Sequence, residues 1–329
     1  MKKILFITVT VLLLYSSCKT DFEINAEWKD ITVVYGLLNQ KDSIHYIKIN
    51  KAFLGDGNAL TMATNPDSCT YPPGILDVWV EEWKNNSQSN SWNLDTTTVY
   101  NKEPGVFYNP KQVLYKFTAQ LDTLDGNTEY RLYIRNKQTG KVISSKTPLV
   151  HNFSITKPSP YQLAVFNNSN SIPVKWSTAQ NGKLYQVDIR FNYLEDSSGI
   201  ISSKYIDWNI GVVKADGPVG TEMTTNYYGD SFFKFLGDNI PHSNNVIRHI
   251  GIPNVEFIFS VAADDFNTYM EVSAPSTGIN QEKPEYTNIT NGIGIFSSRF
   301  SIDRPLNMAG QSKDSLFNGV YTQDLNFQP

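Results

Sequence analysis

The chain has 329 residues, a formal net charge of −4 at pH 7 and an aromatic content of 13%. Basic residues are scattered and form no block, so nucleic acid is not expected as a partner. The length suits two domains of about 100 to 200 residues each. Abundant Tyr and Phe, together with the lack of long Ala-, Leu-, Glu- and Lys-rich runs, favour β structure.

The N-terminus, residues 1–17, has the layout of a bacterial lipoprotein signal peptide. Two lysines precede an uncharged apolar run, and Ser16 and Ser17 stand directly before Cys18. The run is too short for a resident transmembrane helix. Cleavage before Cys18 would leave this cysteine to carry diacylglycerol, and two or more acyl chains anchor a protein stably. The alternative is an ordinary secretory peptide followed by a chance cysteine.

The folded body is predicted to begin at residue 31, after a polar tether at 18–30. Apolar and polar residues alternate with a period of two in several segments, which is typical of half-buried strands. Turn residues separate these segments. The predicted strands of the first half are 31–38, 45–54, 76–83, 92–100, 112–121, 129–135 and 141–150.

One segment of the first half is more specific. Leu124 precedes a tight turn containing Gly126, and Tyr130 then opens an alternating strand. This pattern looks like the tyrosine corner of immunoglobulin-like and fibronectin type III sandwiches, in which the Tyr hydroxyl bonds back to the main chain. We therefore predict that residues 31–152 form an N-terminal β-sandwich with Tyr130 as a structural residue.

The second half repeats the theme, with strands predicted at 172–176, 184–193 and 255–262. Apolar residues at helical spacing in 230–239 predict one short helix. The predicted fold class is therefore all-β, with two immunoglobulin- or fibronectin-III-like sandwiches and one short helix in the second. Prolines near residues 150 to 160 mark the boundary, so the second domain is 153–329, including a polar tail after Phe300 whose order is doubtful.

No motif in the sequence indicates catalysis. The four histidines have no metal-ligand spacing, and no nucleophile elbow, phosphate loop or dinucleotide fingerprint occurs. Glu81 and Glu82 are neighbours on a strand and point to opposite faces. Cys69 lies in a loop-like stretch and is expected to be a passive thiol. We therefore expect no catalytic residues, no metal and no cofactor, although a glycosidase built from distant carboxylates stays an alternative.

The strongest signal of a binding surface is the pair Trp79 and Trp83. They lie on one face of a predicted strand, about 13 Å apart, and Asp77 and Glu81 lie beside them. Aromatic rings with neighbouring carboxylates suit sugars, because C–H faces pack on rings while hydroxyls bond the acids. The alternative is that Trp92 and neighbouring strands cover this face, which would make it part of a core or domain interface.

The chain resembles the uncharacterised outer-membrane lipoproteins of the Bacteroidetes, and in layout it is similar to the family named domain of unknown function 4249. The resemblance rests on four features: the lipobox Ser16-Ser17-Cys18, the opening strand at 31–38, the corner tyrosine Tyr130 and the closing stretch at 286–296. It implies an outer-membrane location near TonB-dependent receptors and carries over no catalytic residues.

Taken together, these features predict a lipid-anchored binding or interaction protein of the cell envelope. It would attach to the membrane through its N-terminal lipid and act as an accessory of a TonB-dependent uptake receptor or as a glycan-binding protein. Lys19, Asp21 and Glu23 partly match a signal for export to the cell surface, which leaves the surface and the periplasmic face both open. A pilin or adhesin subunit is the alternative, but the usual processing Arg is missing, since the first Arg is Arg131.

Overall fold

The computed structural model describes residues 31–52, 59–119, 123–166, 169–243, 245–274 and 285–329. The predicted signal peptide, the lipidation site Cys18 and the tether at 18–30 lie outside these residues. The described part of the chain is mostly β, which confirms the prediction of a mainly β protein. No helix among these residues is both long and apolar enough to cross a membrane.

The described residues contain fifteen strands, and most of them coincide with the alternating segments of the sequence. Their bounds are β1 Thr32–Leu38, β2 Ile44–Lys51, β3 Leu76–Lys84, β4 Ser87–Asn93, β5 Asp95–Val99, β6 Gln112–Thr118, β7 Glu129–Asn136, β8 Val142–Pro148, β9 Ile155–Lys157, β10 Ser171–Ser177, β11 Leu184–Ser197, β12 Ile200–Lys214, β13 Glu222–Tyr228, β14 Ile247–Ala262 and β15 Gly292–Leu306.

The helices are more numerous than the sequence predicted. They are α1 Ala59–Ala63, α2 Pro66–Cys69, α3 Gly229–Asn239, α4 Asp264–Ser273 and α5 Gly310–Asn318, with a 3-10 turn at Gln323–Leu325. The predicted helix at 230–239 is confirmed as α3, but the expectation of a single helix is wrong. The start of α4 carries two acidic residues, which favour a helix N-terminus through the helix dipole, and this local signal could have been recognised.

Three sheets surround two hydrophobic cores. The largest sheet has the order β12-β11-β14-β15-β1-β2-β6-β5, a second has the order β4-β3-β7-β8 and a third the order β13-β10-β9. The first core lies between β1, β2 and β6 on one side and β3, β7 and β8 on the other. The second core lies between β11, β14 and the three-stranded sheet, and α3 packs against it.

Strand β15 belongs to both cores. Its first half pairs in parallel with β1, up to Ser298, and its second half pairs antiparallel with β14, from Arg299 onward. Ile289 and Phe296 are accordingly buried in the first core. This late segment therefore contributes to the core that residues 31–152 build. A Cβ at Gly294 would collide with the Val34 carbonyl, so the close approach of β15 to β1 requires glycine there.

The segment predicted as one strand at 92–100 is two strands in two different sheets. β4 ends at Asn93 and β5 begins at Asp95. Between them Leu94 is buried, and its N–H donates to the Val78 carbonyl at 2.9 Å. The chain turns a corner at this residue, because strands that switch sheets do so at local bends. The single-strand prediction is therefore wrong, because the less exposed positions change phase after Leu94 and β5 joins a different sheet.

The C-terminal tail is folded, so the expectation of doubtful order after Phe300 is wrong. Leu316, Leu325 and Phe327 are buried in the second core. The guanidinium of Arg248, 1% exposed, donates to the Leu325 carbonyl at 2.7 Å. A few apolar residues and one buried cation therefore fix a segment whose overall composition is polar.

The tyrosine corner is present in the first core. Tyr130 is 0% exposed, and its hydroxyl lies 3.2 Å from the Asp125 carbonyl oxygen and 3.3 Å from Glu82 Oε2. The bond back to the main chain confirms the structural role predicted for Tyr130. Burial raises the pKa of this hydroxyl above its ordinary value, so it stays a donor at physiological pH.

Candidate functional site

The outer face of the four-stranded sheet carries the residues singled out in the sequence. Val78 and Val80 of β3 are buried in the first core, and the alternation of the strand turns the other residues outward. Trp79 and Trp83 are both partly exposed. The structure thus places Asp77, Trp79, Glu81 and Trp83 along one strand.

Trp92 does not cover this face. It packs on the core side of the same sheet, with its ring centroid 5.3 Å from that of Phe117 and 6.3 Å from that of Tyr130. Its partner across the ladder is the buried Val80, which shares the core side. The outer face around Trp79 is therefore not closed by Trp92.

Strand β7 supplies partners for the two tryptophans. The Trp79 and Tyr133 rings are stacked, with centroids 5.2 Å apart and an interplanar angle of 17°. The guanidinium of Arg131 lies 3.9 Å from the centroid of the Trp83 ring, which is a cation–π contact. Tyr133 is directly opposite Trp79 in the ladder, so neighbouring rings stand side by side on the sheet.

Glu81 joins the two tryptophans. The Trp79 indole N–H donates to Glu81 Oε1 at 3.0 Å, and the Trp83 indole N–H donates to Oε2 at 2.8 Å. One carboxylate therefore satisfies both donors and fixes both rings.

Asp77 forms an ion pair at the other end of the row. Arg135 donates to Asp77 Oδ2 from Nη2 at 2.6 Å and from Nε at 3.3 Å, and the Lys137 ammonium lies 3.4 Å from Oδ1. The hydrogen bond from Arg135 is the largest influence on the Asp77 carboxyl and holds its pKa below the usual range. The carboxylate is therefore ionised at neutral pH and offers a fixed acceptor near the surface.

An open cleft of about 490 Å³ lies beside Trp79. Its lining residues are Leu76, Asp77, Val78, Trp79, Asn93, Leu94 and Arg135. Tyr133 is not among them. Of the four residues predicted to bind a ligand, Asp77 and Trp79 line the cleft, whereas Glu81 and Trp83 do not.

Asn93 and Arg135 are the polar residues of this cleft that the sequence did not predict. Asn93 pairs with Trp79 across β4, and Arg135 pairs with Asp77 across β7. Both residues belong to segments that the sequence predicted as strands. Their pairing partners on β3 depend on the register between the strands, which the sequence does not give. Among the described residues, no three or more His, Cys, Asp and Glu side chains are grouped closely enough to hold a metal ion.

Comparisons with known proteins show no relative in sequence. No protein-family model matches the chain, and no curated protein matches it. Among solved structures, the chain is similar to the C-terminal globular domain of an oligosaccharyltransferase from Pyrococcus abyssi, with 11% identity and a TM-score of 0.25. That match covers 67% of this chain and 45% of the other, so it spans less than half of that structure.

Proposed function

We propose that the chain is a lipid-anchored binding protein of the outer membrane that holds a carbohydrate at the Trp79 cleft. The observation that carries this proposal is one partly exposed indole ring beside a carboxylate, an amide and a guanidinium in an open cleft. The resemblance to Bacteroidetes envelope lipoproteins supports the location. The two cores correspond in this proposal to two immunoglobulin- or fibronectin-III-like sandwiches, joined through β15.

The chemistry of the cleft matches a sugar ring. The C–H face of a pyranose packs on an indole, and the sugar hydroxyls need both donors and acceptors close by. Asp77 accepts, Arg135 donates and the Asn93 amide does both. The ion pair between Asp77 and Arg135 exists before any ligand arrives, so little side-chain freedom is lost on binding.

The expected affinity is weak. A single aromatic contact contributes about 1 kcal/mol, and a dissociation constant of about 1 mM corresponds to roughly −4 kcal/mol. Weak binding is sufficient for a protein that is held permanently at a membrane beside a partner. A TonB-dependent receptor would be such a partner, because linking two weak sites raises the effective affinity.

Calorimetry with soluble oligosaccharides, chosen from a glycan array, tests the cleft. We expect Trp79→Ala and Asn93→Ala each to weaken binding about fivefold, which corresponds to about 1 kcal/mol, because they remove the stacking ring and the amide. Trp83→Ala is the matched control, since it lies on the same strand and outside the cleft. If all three variants bind like wild type while circular dichroism shows them folded, the cleft is not the site.

Metabolic labelling with a fatty-acid analogue tests the anchor. Wild type should be labelled and recovered with membranes, whereas Cys18→Ala should be neither. Cys69→Ala is the control, because the chain has two cysteines and only Cys18 follows the signal peptide. If Cys18→Ala is still labelled, the proposed lipid anchor is wrong. That result would not affect the proposed carbohydrate site.

A further inference from the structure

A second hollow, of about 460 Å³, lies on the far side of the first core from the Trp79 cleft. Its floor is the outer face of the largest sheet, where Val33 of β1, Lys48 of β2 and Ile293 of β15 point away from the core. Its size falls within the range of pockets that bind small molecules, about 300 to 1,000 Å³.

Two segments wall this hollow. One runs from α1 to α2 and contributes Ala63 and Pro66. The other is the connection between β5 and β6, which contributes Phe107 and Tyr108. The Tyr108 N–H donates to the Ala63 carbonyl at 3.0 Å, so the two walls are joined across the sheet. Most of the lining side chains are aliphatic or aromatic, and the interior suits an apolar body.

The charged groups of the hollow are all positive among the described residues. Lys48, Lys51, Lys102 and Lys111 line it, and no Asp or Glu is among the described lining residues. Within the described part of the chain, no carboxylate lies within 4.0 Å of any of these four ammonium groups. Burial lowers the pKa of Lys48, and the nearby charge of Lys102 lowers it further. Lys48 and Lys102 therefore repel each other, and a bound anion would relieve this repulsion.

We infer that this hollow binds a free, single-chain anionic amphiphile, with its apolar body on Val33, Ile293 and Phe107 and its anionic head among the lysines. A cationic or neutral amphiphile would gain the apolar contact and leave the lysines unneutralised. The site is independent of the proposed carbohydrate cleft, which lies on the opposite sheet.

Binding of decanoate tests the inference. The full chain is used with Cys18→Ser, which removes the cysteine proposed to carry lipid, and calorimetry measures the dissociation constant. Decyltrimethylammonium and decan-1-ol are the matched probes, since they keep the chain and change the head. Lys48→Met retains the length of the side chain and removes the charge, so we expect it to weaken decanoate binding about tenfold. Lys204→Met, on the exposed strand β12, is the control with the same change.

The inference is supported if decanoate binds, if both other probes bind at least tenfold more weakly and if only Lys48→Met weakens decanoate. It is overturned if decanoate does not bind at millimolar concentration, if the three probes bind alike, or if the two lysine variants behave alike. Flotation with vesicles containing phosphatidylglycerol is a further arm. Lys48-dependent binding to vesicles without binding of decanoate would assign the lysines to a membrane surface and overturn the inference as well.

Discussion

The buried guanidinium of Arg248 should be a principal determinant of the stability of the second core. It donates four hydrogen bonds, two to Glu195 Oε1 at 2.8 and 3.0 Å and one each to the carbonyls of Leu325 and Pro241. The Arg248 side chain is 2% exposed and that of Glu195 is 21% exposed. One side chain thus ties β14, β11 and the C-terminal tail together.

Arg248→Met keeps most of the apolar stem and removes every donor. Removing one partner of a buried ion pair costs about 3 to 5 kcal/mol, because the remaining charge stays buried and unpaired. The partial exposure of Glu195 lets water reach its carboxylate, so we expect the lower end, about 3 kcal/mol of unfolding free energy. The melting temperature should fall by about 6 °C or more.

Urea unfolding followed by tryptophan fluorescence measures the change. Arg190→Met is the matched control, since Arg190 also forms a two-bond pair, with Asp207 at 2.7 and 2.9 Å, but at the surface. Surface pairs contribute about 0 to 1 kcal/mol. If the two variants differ by less than about 0.5 kcal/mol, burial does not set the contribution of Arg248, and the reasoning fails.

Two further predictions concern the first core. Tyr130→Phe should lower the free energy of unfolding by about 1 kcal/mol, because it removes one hydrogen bond to the Asp125 carbonyl, which keeps its bond from the Thr128 hydroxyl. An unchanged urea midpoint would contradict this. Burial lowers the pKa of His45 below 6.5, and the nearby Asp42 opposes this with a smaller effect. Just below pH 6.5 the imidazole therefore binds a proton in the unfolded chain but not in the folded chain. The free energy of unfolding should therefore fall as the pH drops from 6.5 to 5.5, and it should fall less in His45→Leu. If the urea midpoints of the two proteins depend on pH identically, His45 is not the group responsible.

Local pattern was sufficient for the parts of the fold that depend on neighbouring residues. The alternation of Val78 and Val80 with Trp79 and Glu81 predicts which face of β3 is buried, because the side-chain period of a strand is two. The turn before Tyr130 predicts the bond from its hydroxyl to the main chain, because donor and acceptor are five residues apart. The helix at 230–239 follows from apolar residues at helical spacing.

Pairing between segments that are distant in sequence decided the order of the strands and the sheets to which they belong. The parallel contact between β1 and β15 joins residues about 260 positions apart and leaves no periodic trace in either segment. The corner at Leu94 passes the chain from one sheet to another, and the sheet that each strand joins depends on distant partners that periodicity does not identify.

The same reason limits what could be predicted about the sites. Trp79 and Asp77 lie two residues apart and were found from sequence, but Asn93 and Arg135 reach the cleft only through the register of β4 and β7. The four lysines of the second hollow come from β2 and from the connection between β5 and β6. The sequence by itself therefore predicted many of the strands and the buried face of β3. Tertiary structure alone decided which side chains share a cavity, because that depends on which strands are neighbours and in which register they pair.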